Sequence, residues 1–126
     1  MKRKISSGFT LIELLVVVAL IGVLSAIGIV SYSGLKESSQ RKQAETTIQS
    51  IYLAEQEYKS NNGQYYYNTT TSNIVTNLFD GVDDLSEQTY AFTITGVANN
   101  DTFCIKATKA GQSTLYLNHL KSKNNC

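Results

Sequence analysis

From Leu14 to Val30 the chain carries no charged side chain, only Val, Leu, Ile and Ala diluted by Gly and Ser. With Phe9-Thr10-Leu11-Ile12 in front, the run reaches the roughly 20 residues that a helix needs to cross hydrocarbon. Glu13 stands inside this run. A bare carboxylate in a membrane costs several kcal/mol, so residues of this kind are functional or paired. The chain therefore has to place an apolar helix and also explain one acid within it.

The flanks narrow the choice. Lys2, Arg3 and Lys4 precede the run and put the leader on the cytoplasmic side. An ordinary secretory signal has its small-residue cut site after the apolar stretch. Ala19, Ser25, Ala26 and Gly28 imitate one weakly, but cutting there discards the span and leaves Glu13 unexplained. An uncleaved single-span anchor is the plain alternative.

Beyond the run, Ala44, Ile48, Ile51, Glu55 and Tyr58 fall at helical spacing, and Tyr52 and Ala54 widen the stripe. Glu37 and Arg41 stand i,i+4 on the polar side. Asn61-Asn62-Gly63 is a stop signal, with Gly63 able to turn left-handed. A helix from Phe9 to Ser60 is about 78 Å long at 1.5 Å per residue.

Residues 64–88, QYYYNTTTSNIVTNLFDGVDDLSEQ, read as an irregular connection with three partly exposed tyrosines. Three alternating runs follow. They are 89–95, then 102–108 with Phe103, Ile105 and Ala107 inward, then 113–118 with Leu115 and Leu117 inward. Turns are expected at 98–101 and 110–112. The expected fold is α+β, a long N-terminal helix packed on a small antiparallel meander.

Net charge is +1, and removing the three leader cations turns it to −2. No acidic residue follows Asp101, whereas Lys106, Lys109, Lys121 and Lys123 do. The two cysteines, Cys104 and Cys126, are too few for a structural zinc site and are not in CxxC spacing. In an exported chain they form one disulfide or remain two thiols. His119 is the one histidine and has no nucleophile motif around it, so it reads as a surface residue and the chain as no enzyme.

Gly8-Phe9-Thr10-Leu11-Ile12-Glu13-Leu14-Leu15-Val16-Val17-Val18, after a Lys-rich leader, resembles the class III signal of type IV pilins and pseudopilins. The resemblance is strongest over residues 1–35 and continues in outline over the rest. It implies that a prepilin peptidase cuts between Gly8 and Phe9 and that the new amine of Phe9 is methylated. The apolar helices then pack in a filament core, where Glu13 faces the N-terminal ammonium of a neighbouring subunit. An ammonium and a carboxylate close together in a low dielectric attract strongly, while either alone is penalised. The resemblance further implies a Cys104–Cys126 disulfide bounding an exposed C-terminal region and tying the tail across the outer sheet face. One departure stands out: the family's proline some 21 residues after the Phe is here Val30, leaving Gly22 and Gly28 as the weak points of the helix.

The chain accordingly divides into a cleaved leader (1–8), a transmembrane and filament-core helix (9–31), the amphipathic half of the helix (32–62), a connecting loop (63–88) and a sheet with disulfide-bounded region (89–126). The leading reading is a structural subunit of a type IV pilus, polymerised with other pilin subunits for adhesion, motility or DNA uptake. It is inserted in the inner membrane before assembly and extracellular after it. Implied partners are the peptidase, an inner-membrane platform protein, an assembly ATPase and, where there is an outer membrane, a secretin; no cofactor or metal is implied. A type II secretion pseudopilin is the second reading, because Tyr58-Lys59-Ser60-Asn61-Asn62-Gly63-Gln64-Tyr65 is similar to a segment of those proteins. Their calcium would need oxygen ligands such as Asp80, Asp83, Asp84 and Glu87, whose spacing is not an EF-hand and suits a solvated acidic loop. The third is a minor pilin that binds DNA or a surface through Lys106, Lys109, Tyr116, His119, Lys121 and Lys123. The sequons at Asn68-Thr69-Thr70 and Asn100-Asp101-Thr102 read as chance.

Overall fold

The computed structural model describes residues 7–82, 85, 87–96 and 102–126. Lys2, Arg3 and Lys4, the acidic residues Asp83, Asp84 and Asp101, Asn100 and the turn expected at 98–101 lie outside them. The chain divides into two units, Met1–Glu37 and Ser38–Cys126. Helix α1, Leu11–Asn62, belongs to both.

In the first unit the helix starts with a reciprocal cap. The Glu13 backbone N–H donates to Thr10 Oγ1 at 3.2 Å, and the Thr10 N–H donates to Glu13 Oε2 at 2.9 Å. This capping box satisfies two of the donors that a helix start leaves orphaned. Every large apolar side chain from Phe9 to Leu35 is solvent-exposed, and the least exposed, Val17, still shows 48% of its surface. The helix is long and apolar enough to cross a membrane.

In the second unit the same helix becomes one-sided. Ala44, Thr47, Ile48, Ile51 and Glu55 are buried at intervals of three and four. Asn62 ends the helix, Gly63 takes a φ of +79°, and its N–H reaches the Lys59 carbonyl at 2.7 Å, an αL-type stop. Arg41, expected to pair with Glu37, instead lies 4.0 Å from Glu45.

The segment after the helix departs from the irregular connection that its composition suggests. It contains a second helix, α2, Thr71–Leu78, which buries Ile74 and Val75. Asn68 bridges to Ile94 with N–H···O bonds of 3.1 and 2.7 Å in the two directions. Tyr65 is buried edge-on against Phe103, with ring centroids 4.6 Å apart. Tyr66 and Tyr67 are half-buried. Tyr66 packs on Tyr58 at 5.5 Å, and the Tyr67 hydroxyl donates to the Thr102 carbonyl at 2.7 Å. The Tyr67 ring lies so close over Gly96 that a Cβ there would collide with it. With Ile74 and Val75 of α2, the three rings join this Asn- and Thr-rich stretch to the core.

The sheet is the expected antiparallel meander, order β1-β2-β3, from Ala91–Gly96, Phe103–Thr108 and Leu115–Asn118. Phe92 faces Ala107 and Ile94 faces Ile105, with Leu115 and Leu117 opposite Ala107 and Ile105 in turn. This inward set, Phe103 included, forms one core with Ile48, Ile51, Ile74 and Tyr90. On the outer face Cys104 is nevertheless buried, because it is bonded to Cys126 and the tail lies over it.

One core residue is charged by type. Glu55 has no exposed surface. Its Oε2 accepts the Tyr66 N–H at 2.9 Å, and its Oε1 has no partner among the described residues. Burial pushes its pKa from 4.5 up to about 7, against the lowering effect of the Tyr66 hydrogen bond.

Candidate functional site: a basic groove beside the edge strand

The C-terminal lysines are positioned by a turn around Asn118. Its side-chain Oδ1 accepts the N–H groups of Leu120 at 3.0 Å and Ser122 at 2.8 Å. Its own N–H donates to the Ser122 carbonyl at 3.0 Å, and its carbonyl accepts from Lys121 at 2.9 Å. An Asn at a chain reversal favours this geometry, and Lys121 completes it at a φ of +60°. The turn occupies backbone groups at the end of β3 and sets Lys121 and Lys123 against α1.

Between α1 and β3 runs a groove in two joined compartments, of about 170 and 290 Å³. Gln49, Leu117 and Lys123 line both. Arg41, Glu45 and Tyr116 border the first, and Tyr52, Leu53 and Lys121 the second. Arg41 is held by its Nη1, which donates to Ser113 Oγ at 2.8 Å. Lys121 Nζ lies 5.4 Å from the Tyr52 ring centroid, and Lys106 Nζ lies 5.9 Å from that of Tyr116. A band of positive charge thus runs from Lys106 on the outer sheet face, past Tyr116, into the groove. Glu45 is the one carboxylate among the lining residues.

The residues singled out by sequence divide accordingly. Lys106, Tyr116, Lys121 and Lys123 fall on this band. Lys109 lies at the other end of β2, donating to Gln40 Oε1 at 2.7 Å and lying 5.9 Å from the Tyr90 ring. His119, expected on the surface, is half-buried edge-on to Phe103 at 6.4 Å, and its carbonyl accepts from Tyr52 at 3.3 Å. Arg41, Gln49 and Tyr52 on α1 complete the groove and were not legible as site residues, since nothing local marks a helix residue that meets a strand more than sixty positions later. Of the acidic loop, Asp80 and Glu87 are exposed, and no group of three or more potential metal ligands forms among the described residues.

The other end of the chain is a site of a different kind. Gly8 and Phe9 are exposed ahead of the helix start. Glu13 is engaged with Thr10 rather than left bare. The signal for that contact was present, because Thr10-Leu11-Ile12-Glu13 is a capping-box sequence.

The family model for the prokaryotic N-terminal methylation motif matches residues 3–29. That for the type IV minor pilin ComP, DNA uptake sequence receptor, matches residues 31–118. The second match includes Arg41, Gln49, Tyr52, Lys106 and Tyr116 and stops before Lys121 and Lys123. No curated protein and no solved structure matches the chain.

Proposed function

The chain belongs to the type IV pilins, in the family of the minor pilin ComP, and from that premise we propose that it is a low-copy pilus subunit whose packed unit captures DNA for uptake. Pilin families are structural, non-enzymatic subunits. The observation that carries the proposal is the match of residues 31–118 to a family described as a DNA uptake sequence receptor. The basic band beside β3 supports it, because Lys and Arg that neutralise phosphates release condensed counterions and supply sequence-independent affinity.

The prepilin motif implies processing by prepilin peptidase and assembly with other pilins. In the reading advanced here, cleavage falls between Gly8 and Phe9 and the Phe9 amine is methylated. The apolar helix anchors the chain in the inner membrane until a platform protein and an ATPase drive it into an extracellular fibre. Glu13 then faces the ammonium of a neighbouring subunit. The Thr10 cap keeps one carboxylate oxygen hydrogen-bonded before that partner arrives, which lessens the cost of a bare charge in lipid.

Deletion of the chain in a naturally transformable host tests this. The expected result is loss of DNA uptake with fibres still visible by electron microscopy. Loss of the fibres themselves would favour an abundant shaft subunit. Normal uptake with failed protein secretion would favour a pseudopilin.

A further inference from the structure

The groove is concave, whereas duplex DNA presents a convex row of phosphates. A duplex can lie across Lys106 and Tyr116 on the outer face, but it cannot enter a slot between a helix and a strand edge. What fits such a slot is an unstacked base with its sugar-phosphate outside. A cavity of about 150 Å³ takes up benzene. Compartments of about 170 and 290 Å³ therefore admit a one-ring and a two-ring base. The polar groups suit that occupant. Gln49 lines both compartments and carries an amide, which can pair with a base edge in two places. Tyr116 borders the first compartment under Lys106 and Tyr52 the second under Lys121, rings that a base can reach where the lysine swings out to a phosphate. Arg41 and Lys123 add positive charge, completing the combination by which proteins hold single strands.

Resting on the DNA-capture reading above, we infer that the groove between α1 and β3 binds single-stranded DNA, with Gln49 contacting bases and Arg41, Lys121 and Lys123 contacting phosphates. Base-reading thus comes from the helix, and the tail lysines beyond the family match supply affinity. A strand end or a locally melted duplex is the form of DNA that the groove engages first.

The test uses the processed full-length pilin, disulfide intact, in detergent micelles. It is titrated into labelled short fragments of the source organism's own DNA, native or heat-denatured, with anisotropy as the readout. Denatured DNA is expected to bind about tenfold more tightly, the range one stacked base supplies. Gln49→Trp, at an exposed helix position, fills the groove and removes that preference. The Lys121→Ala/Lys123→Ala pair makes the single-strand salt slope shallower by about 1.4, whereas Lys42→Ala, outside the groove, leaves the slope and the preference unchanged. The inference is overturned if native DNA binds as tightly as denatured, or if Gln49→Trp leaves the preference intact. If the Lys106→Ala/Lys109→Ala pair abolishes binding while the groove variants do not, only the groove assignment falls and DNA capture stands. If the wild-type chain binds neither form, the functional reading falls as well.

Discussion

One helix, two solvents: residues 11–35 of α1 expose every large apolar side chain, while residues 44–55 of the same helix bury one polar-flanked stripe. The backbone is alike in both. The side-chain pattern decides what each half needs around it. An all-round apolar helix has no preferred face and must be covered by lipid or by other helices, whereas a one-sided helix finds its cover in its own chain. The first half is thus incomplete as a monomer and the second is complete. Glu13 and Glu55 repeat the contrast. Glu13 is exposed and capped in the first unit. Glu55 is fully buried in the second, where only one oxygen is bonded.

The largest separation of the two halves is expected from Glu13→Val. It should abolish incorporation into sheared fibres while the processed chain accumulates in membranes, and the thermal midpoint of the packed unit should not move. A shifted midpoint would mean that the halves are not independent in stability. Next is Gly96→Ala, which drives a Cβ into the Tyr67 ring. We expect a loss of about 3 kcal/mol or more, by analogy with overpacked sites, measured by denaturant unfolding. Tyr67→Ala in the same chain should recover part of it.

Third in size, and comparable in magnitude, are the disulfide and Glu55. Reduction of Cys104–Cys126 opens the loop that the bond closes across a 22-residue separation and should cost about 3 kcal/mol on the chain-entropy model. For Glu55 the sign follows from its raised pKa. The folded state holds the proton more tightly than the unfolded one, so stability is greatest below the ordinary value of 4.5. It falls as pH climbs, until the folded-state value of about 7 is passed. The drop over that window is about 3 kcal/mol. Unfolding measured at pH 5 and pH 8 should show it in the wild type and not in Glu55→Gln. The smallest effect is Thr10→Ala, which removes one side of the cap and should lower helicity of the first unit at a cost of about 1 kcal/mol.

What could be read from sequence follows the range of each interaction. The apolar helix, the Gly63 stop and the three strands depend on near neighbours and on alternation, and each lies close to where the pattern put it. The second helix was missed because TSNIVTNL is a poor helix former. It is held by burial of Ile74 and Val75, and tertiary packing is invisible to local pattern. Of the tyrosines at 65–67, expected to be partly exposed, Tyr66 and Tyr67 are so and Tyr65 is buried, because its partner Phe103 comes from another element. For the candidate site, the lysines were legible by type, but the division between Lys109 and the others is not, because it depends on the Asn118 turn. Arg41, Gln49 and Tyr52 become site residues only when β3 is laid beside α1.

The proposed role requires the apolar half of the chain to be built into a fibre and the packed half to be carried on it. Intact-protein mass spectrometry of fibres sheared from the native cells tests this most directly. The prediction is a minority species beginning at a methylated Phe9, with both cysteines oxidised. A chain that remains in the membrane uncut from Met1, in cells with an active prepilin peptidase, would contradict it.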